Sequence, residues 1–186
     1  MTTLSIFDAH NPDAAKTVTD DAAEIGRLLE SKGIRFERWA TQELPADAAP
    51  DQILEAYSSE IAKLKAENGF QTADVVSLNP DNPQKDFFRQ KFLDEHTHSE
   101  DEVRFFVRGQ GIFYLHLGDQ VFAVQCQKND LISVPEGTRH WFDMGPEPEF
   151  TCIRLFTNPE GWVADFTGED IAERLPRFEE LEGAAV

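Results

Sequence analysis

The spacing of hydrophobic positions changes once along the chain. Over residues 1–86 strand-like runs alternate with helical stretches, whereas residues 87–156 carry short apolar runs between turn residues. LSIFDA (4–9) and IRFERWA (34–40) read as strands. Between them Ala22, Ile25, Leu28 and Leu29 recur at the three- and four-residue spacing of one helical face. Thr19 or Asp20 is available to cap the start of that helix, and Gly33 to stop it. A second helix is predicted from Asp51 to Asn68, with Leu54, Tyr57, Ile61 and Leu64 as its apolar stripe and Gly69 behind it. ADVVSLN (73–79) is a short strand, and NPDNPQ (79–84) is a turn cluster.

The second pattern consists of VRFFV (103–107), GIFYLHL (111–117), VFAVQC (121–126), LISV (131–134), RHWF (139–142) and FTCIRLF (150–156). RGQG, GDQ, KND, PEG and GPEPE separate them. Short strands at this spacing predict an antiparallel sandwich or barrel. GIFYLHLGDQVFAVQ forms a hairpin with Gly118-Asp119 at its tip. Residues 157–186 make a tail whose EDIAERLPRFEELEG is a short acidic helix broken by Pro176. The expectation is a mainly β (α+β) single domain. Residues 87–156 form its barrel or jelly-roll core, and helices pack outside, mostly from the N-terminal third.

Composition narrows the picture. A chain of 186 residues that is 40% hydrophobic, with 15 Phe, can bury a sizeable core. No apolar run approaches the roughly 18 residues of a membrane span, and MTTLSIFDAHNPD lacks the basic start and apolar stretch of a secretory signal. Two cysteines are too few for a disulfide scaffold, so a cytoplasmic location is expected. The formal charge of −18 repels nucleic acid and anionic lipid, so neither is an expected partner. The acidic surface, with no obvious apolar patch, leads to the expectation of a monomer. A small anionic substrate would need local cations to overcome the same field.

His96, His98, His116 and His140 are four of the five histidines and fall among the β-like runs. In H-T-H (96–98) both imidazoles share one face of an extended chain. Glu102 and Arg104 have the same parity, unless Ser99-Glu100-Asp101 loops out and resets it. Two imidazoles and a carboxylate on one wall are the parts of a metal site with open positions. P-E-G-T-R-H (135–140) is a tight turn that delivers a further His at the start of a strand. Taken singly, an H-x-H also occurs on solvated edges, and a chain with 35 acidic residues makes a nearby Glu easy to find.

HTHSEDEVRFFVRG (96–109) resembles the first cupin motif, H-x-H-x₃-E-x₆-G, and PEGTRH (135–140) resembles the core of the second, P-x-G-x₂-H. Gln90 and Asn129 stand where cupins usually have Gly, and Met144 where they often have Asn. HTHSEDEVRFFVRGQGIF, PEGTRHWFD and IRLFTNPEGW together look like the bacterial acireductone dioxygenases of methionine salvage. The resemblance covers essentially the whole chain. It implies a cupin-type jelly-roll barrel and His96, His98, Glu102 and His140 as ligands to one Fe(II) or Ni(II) per chain. It also implies O₂ and the acireductone 1,2-dihydroxy-5-(methylthio)pent-1-en-3-one as the small molecules acted on. In that family iron gives formate and 4-methylthio-2-oxobutanoate, whereas nickel gives 3-(methylthio)propanoate, formate and carbon monoxide.

Arg104 and Arg154 sit on apolar runs, where a buried guanidinium needs an anion. They are candidates to stabilise a bound anionic substrate; the plain alternative is that each pairs with a carboxylate. Phe92, Phe142 and Trp162 are candidates for an apolar slot that takes a thioether tail, against ordinary core packing. His116 reads as structural, His10 as a turn residue, and Cys126 and Cys152 as small core residues. Gly109 and Gly111 are followed by no helix and so make no nucleotide loop. Two other functions stay open on the residues alone. One is a sugar isomerase holding zinc or manganese on the same ligands, indifferent to oxygen; the other is a cupin that only binds a small ligand.

Overall fold

Residues 1–158 and 163–184 are described by the computed structural model. In chain order they form β1 (Thr3–Asp8), β2 (Thr17–Thr19), α1 (Ala22–Glu30), β3 (Arg35–Arg38), α2 (Pro50–Ala56), α3 (Ser58–Asn68), β4 (Thr72–Leu78) and α4 (Lys85–Leu93). There follow β5 (His96–Thr97), β6 (Glu102–Leu117), β7 (Gln120–Gln127), β8 (Asp130–Val134), β9 (Arg139–Asp143), β10 (Phe150–Phe156), β11 (Asp165–Phe166), α5 (Ile171–Arg174) and α6 (Phe178–Ala184). Among the described residues no helix is long and apolar enough to cross a membrane.

The long strand β6 belongs to two sheets. Its first half lies between β8 and β10, giving the order β3-β8-β6-β10-β4. Its second half lies between β9 and β7, giving β11-β5-β9-β6-β7-β1-β2. All these pairings are antiparallel, and the two sheets face each other as a jelly roll.

The RGQG stretch, expected to separate two strands, is instead where β6 passes from one sheet to the other. The register against β10 slips between Phe106 opposite Cys152 and Arg108 opposite Thr151, so Val107 has no partner of its own. The slip is a bulge, and it exchanges the faces on which successive side chains lie. Before it Phe106 points into the core between the sheets; beyond it Phe113 and Leu115 do. Gly109 sits here with φ +70°, where a Cβ would come within 1.7 Å of the Glu149 carbonyl oxygen.

Three apolar clusters follow from this layering. Leu4, Ile6, Phe106, Phe113, Leu115, Val124, Ile132 and Phe142 fill the space between the sheets, and Ile25 and Leu29 of α1 close one end. Ile53, Tyr57, Ile61 and Leu64 of the α2–α3 segment cover the outer face of the five-stranded sheet through Val103, Phe105 and Ile153. Ile171, Ala172, Leu175 and Phe178 of the tail cover the other outer face over Ile112, Tyr114 and Trp141. Both faces of β6 are therefore buried, which is why VRFFV and GIFYLHL read as continuous apolar runs.

Several local expectations shift. The cap of α1 is Asp21, whose carboxylate accepts from the Glu24 N–H at 2.8 Å, one residue beyond Asp20. The helix expected over 51–68 is two helices. Tyr57 leaves helical geometry at φ −107°, with its ring 5.1 Å from that of Phe105 and its hydroxyl accepting from the Gln42 N–H at 2.8 Å. Tertiary anchoring of the ring overrides helix continuity, and the buried stripe starts at Ile53 rather than Leu54. The helix α4 was not expected; Phe88 and Phe92, one turn apart, pack on the core from it, and Gln90 lies within it. Asn129, standing where cupins usually have Gly, has φ +87°, a conformation that Asn tolerates better than most residues. The tail helix is broken around Pro176 as expected.

Candidate metal centre

The jelly roll brings four side chains from three strands and a loop to one point. His96 on β5 is in register with His140 on β9. His98 follows β5, and Glu102 opens β6. The intervening loop docks on the PEG turn, with the Gly137 N–H donating to the His98 carbonyl at 2.9 Å and the Glu136 N–H to Asp101 at 2.9 Å. One ligand atom from each of His96, His98, Glu102 and His140 lies within 4.8 Å of all the others, and all four residues are buried. Glu102 Oε2 is 2.9 Å from His140 Nε2 and 3.2 Å from His98 Nε2.

Each imidazole is oriented from behind. Nδ1 lies 2.7 Å from the Asp94 carbonyl in His96, 2.9 Å from the Val163 carbonyl in His98 and 2.7 Å from the Thr138 carbonyl in His140. A carbonyl only accepts, so each Nδ1 carries a proton and each ring turns its Nε2 inward. Three Nε2 atoms then converge on a buried carboxylate, an arrangement that calls for a cation among them, either a proton on an imidazole or a metal ion. The donor set, three imidazoles and one carboxylate, fits a divalent ion such as Fe(II) or Ni(II).

Burial and the neighbouring charges act on the ligand candidates in different directions. Burial, reinforced by the neighbouring His140, pushes the His96 imidazole down to about 4, so it is neutral at pH 7. Burial opposes charge on His98 too, but the Glu102 carboxylate outweighs it and the pKa rises. For Glu102 burial acts upward, yet Arg104 and the two imidazoles hold it well below the usual carboxylate range.

In front of the four side chains lies a cavity of about 450 Å³ whose lining includes Lys91, Phe92, Arg104, Phe142, Arg154 and Phe166. Arg104 is buried, with Nε 2.8 Å from Glu102 Oε1. Its guanidinium carbon lies 4.9 Å from the ring centre of Phe142, 5.4 Å from Phe113 and 5.8 Å from Phe92. Arg154 forks onto Asp74 at 2.8 and 2.6 Å and stacks on Phe156. Both arginines thus have carboxylate partners and also line the cavity. Phe92 and Phe142 line it as well, and Phe142 belongs to the core at the same time. Trp162 lies outside the described residues.

Sequence reasoning missed Lys91, Val163, Ala164 and Phe166 on the cavity wall. Lys91 precedes Phe92 on an unrecognised helix, and the others follow the NPEGW run without a pattern of their own. His116 is paired with Glu95 at 2.6 Å, away from the four-residue cluster. His10 is exposed beside Asp119. Cys126 and Cys152 are buried and free, and burial pushes the Cys152 thiol up to about 12.

Comparison with known proteins points the same way. A profile of the ARD/ARD' family matches residues 3–164. An acireductone dioxygenase of Marinobacter nauticus is 72% identical over 185 residues, covering 100% of both chains. One of Hahella chejuensis is 68% identical, covering 97% of this chain and 98% of the relative. Among solved structures, an acireductone dioxygenase from Bacillus anthracis with a cadmium ion in its active centre is similar at a TM-score of 0.79 and 34% identity. That match covers 89% of this chain and 98% of the other.

Proposed function

This chain belongs to the ARD/ARD' family of acireductone dioxygenases, and from that membership we propose that it cleaves 1,2-dihydroxy-5-(methylthio)pent-1-en-3-one with O₂. His96, His98, Glu102 and His140 would hold one Fe(II) or Ni(II). The observation that carries this reading is the fixed orientation of all three imidazoles, each with Nδ1 on a backbone carbonyl and Nε2 turned toward Glu102. The cadmium in the active centre of the Bacillus anthracis relative supports a divalent ion at this position.

A metal held by His96, His98, Glu102 and His140 would supply Lewis acidity that stabilises the enediolate form of the substrate. The remaining work falls to the chain. Arg104 presents a preorganised positive charge toward the bound anion, its guanidinium already oriented by Glu102 and the Phe142 ring. Phe92 and Phe142 offer an apolar wall to the methylthio tail, and Trp162 is proposed to join them. Arg154, held by Asp74, adds charge on the opposite strand. The apolar wall also keeps bulk water from the reacting carbons.

With Fe(II) the expected products are formate and 4-methylthio-2-oxobutanoate; with Ni(II) they are 3-(methylthio)propanoate, formate and carbon monoxide. The ligand set accepts either ion, so the choice of metal would direct the cleavage. The test is metal-free protein reconstituted separately with each ion and given acireductone, with O₂ uptake and headspace gas measured. Carbon monoxide from the nickel sample alone is the expected result. Equal carbon monoxide from both, or none from a nickel sample that consumes O₂, would overturn the metal-directed outcome. Turnover that is the same with and without air would point instead to an isomerase.

A further inference from the structure

The helix α4 has little of its own to hold it in place. Its 9 residues fall short of the roughly 12–15 at which an isolated helix persists in water, and Gln84 at its start makes no side-chain cap bond. Within it Leu93 alone is buried, while Phe88 and Phe92 are partly buried against the core. Yet this helix brings Lys91 and Phe92 to the cavity wall. An attachment outside the helix must fix it.

Arg89 supplies that attachment. On β9 Phe142 points between the sheets, so its neighbour Asp143 points to the outer face, where it is 0% exposed. Arg89 Nε donates to Asp143 Oδ1 at 2.9 Å, and Nη2 donates to Oδ2 at 3.1 Å. The Gly145 N–H also donates to Oδ1 at 2.9 Å, and the Phe178 N–H to Oδ2 at 3.0 Å. Two backbone donors thus hold the carboxylate still, and the guanidinium forks onto a fixed group. The other ion pairs of α4 end on exposed carboxylates, Arg89 on Glu179 at 2.7 Å and Lys85 on Glu147 at 2.7 Å, where such contacts contribute little. The buried fork is the anchor.

Arg89 and Phe92 are three residues apart and so are neighbours on the helix surface. Asp143 directly follows Phe142, the other ring on the apolar wall. The fork therefore fixes where the Phe92 ring stands relative to the Phe142 ring, and the Arg104 guanidinium lies against both. We propose that Arg89, held on Asp143, is a positioning residue that sets this apolar slot and with it the preference for a substrate carrying a thioether chain. Arg89 is not part of the cavity lining, so it acts through Phe92 rather than on the substrate. The inference rests on the proposed reading of the cavity as the acireductone site. Arg89→Lys keeps a charge beside Asp143 but loses the fork, so it loosens the anchor without burying an unpaired carboxylate.

The test measures kcat/KM, per metal bound, for the methylthio acireductone and for an acireductone with a methyl group in place of the thioether chain. In Arg89→Lys the preference for the methylthio substrate should fall about fivefold, through KM rather than kcat. In a Phe92→Ala background the same lysine substitution should change the preference no further. Should Arg89→Lys not fold, Arg89→Gln/Asp143→Asn, a neutral pair of similar shape, carries the same expectations. Equal losses with both substrates would reduce the contact to general stability and overturn the proposal. An unchanged preference, or a full further loss on top of Phe92→Ala, would overturn it too. Metal-loaded wild-type protein that takes up no O₂ with either acireductone would instead bring down the proposed function, and the slot with it, a result distinct from the others.

Discussion

Arg104 and Arg154 stand directly opposite each other on β6 and β10. Like charges in that relation destabilise a sheet unless each is neutralised, and here Glu102 takes one at 2.8 Å and Asp74 the other at 2.6 Å. The two differ in what their carboxylate does. Glu102 is itself one of the four clustered side chains, whereas Asp74 is half exposed and belongs only to the pair.

Arg104→Met should therefore leave metal content largely intact and lower kcat/KM with the acireductone. Loss of a charge-assisted contact costs about 1.5–3 kcal/mol, or roughly 10- to 150-fold. Arg154→Met should cost less, since its charge is already held by Asp74. Metal analysis and kcat/KM on both variants check this; wild-type efficiency in the first would reduce Arg104 to a partner of Glu102.

Phe142 occupies space that only a glycine at 111 leaves free. A Cβ on Gly111 would come within 2.2 Å of Phe142 Cζ and 2.5 Å of Cε2. The ring is also packed at 4.9 Å against Phe113 and 5.6 Å against Phe150, so in Gly111→Ala its way out leads toward the cavity. Overpacking of this kind costs about 1–3 kcal/mol. A lower Tm and a KM raised more than kcat is changed are expected; an unchanged KM would separate this ring from substrate.

Lys91 is an exposed cation on the cavity wall of a protein whose charge is −18. Lys91→Glu should raise KM about two- to fivefold at low salt, the range of an exposed charge contact. The difference should shrink as ionic strength rises. KM measured across a salt series tests both parts, and a difference that does not depend on salt would contradict them.

His98→Ala should lose the metal and with it O₂ uptake, since removing one imidazole also frees the Val163 carbonyl behind it. Elemental analysis after dialysis is sufficient. Full metal occupancy in this variant would take His98 out of the ligand set.

Much of the site was legible because its signals are local. H-T-H places two imidazoles on one face, and P-E-G turns the chain so that His140 enters β9 opposite His96. The helix α4 does leave a signal, the four-residue spacing of Phe88 and Phe92, but that signal is only one turn long and lies at the start of a stretch whose pattern is otherwise β-like. The bulge at Val107 was hidden because β6 is buried on both faces, which erases the alternation that marks a change of face.

By itself the sequence determined the strand-rich architecture and brought His96, His98, Glu102 and His140 forward as one set. Apolar periodicity and side-chain chemistry are properties of residue types, and residue types are what a sequence records. Only the tertiary structure decided which atoms stand behind those side chains. The Val163 carbonyl reaches His98 across 65 residues of chain, and Thr167 reaches Glu95 across 72. Every residue has a carbonyl, so nothing in the letters marks the one that will take a histidine's proton; the packing of an edge strand against the sheet selects it.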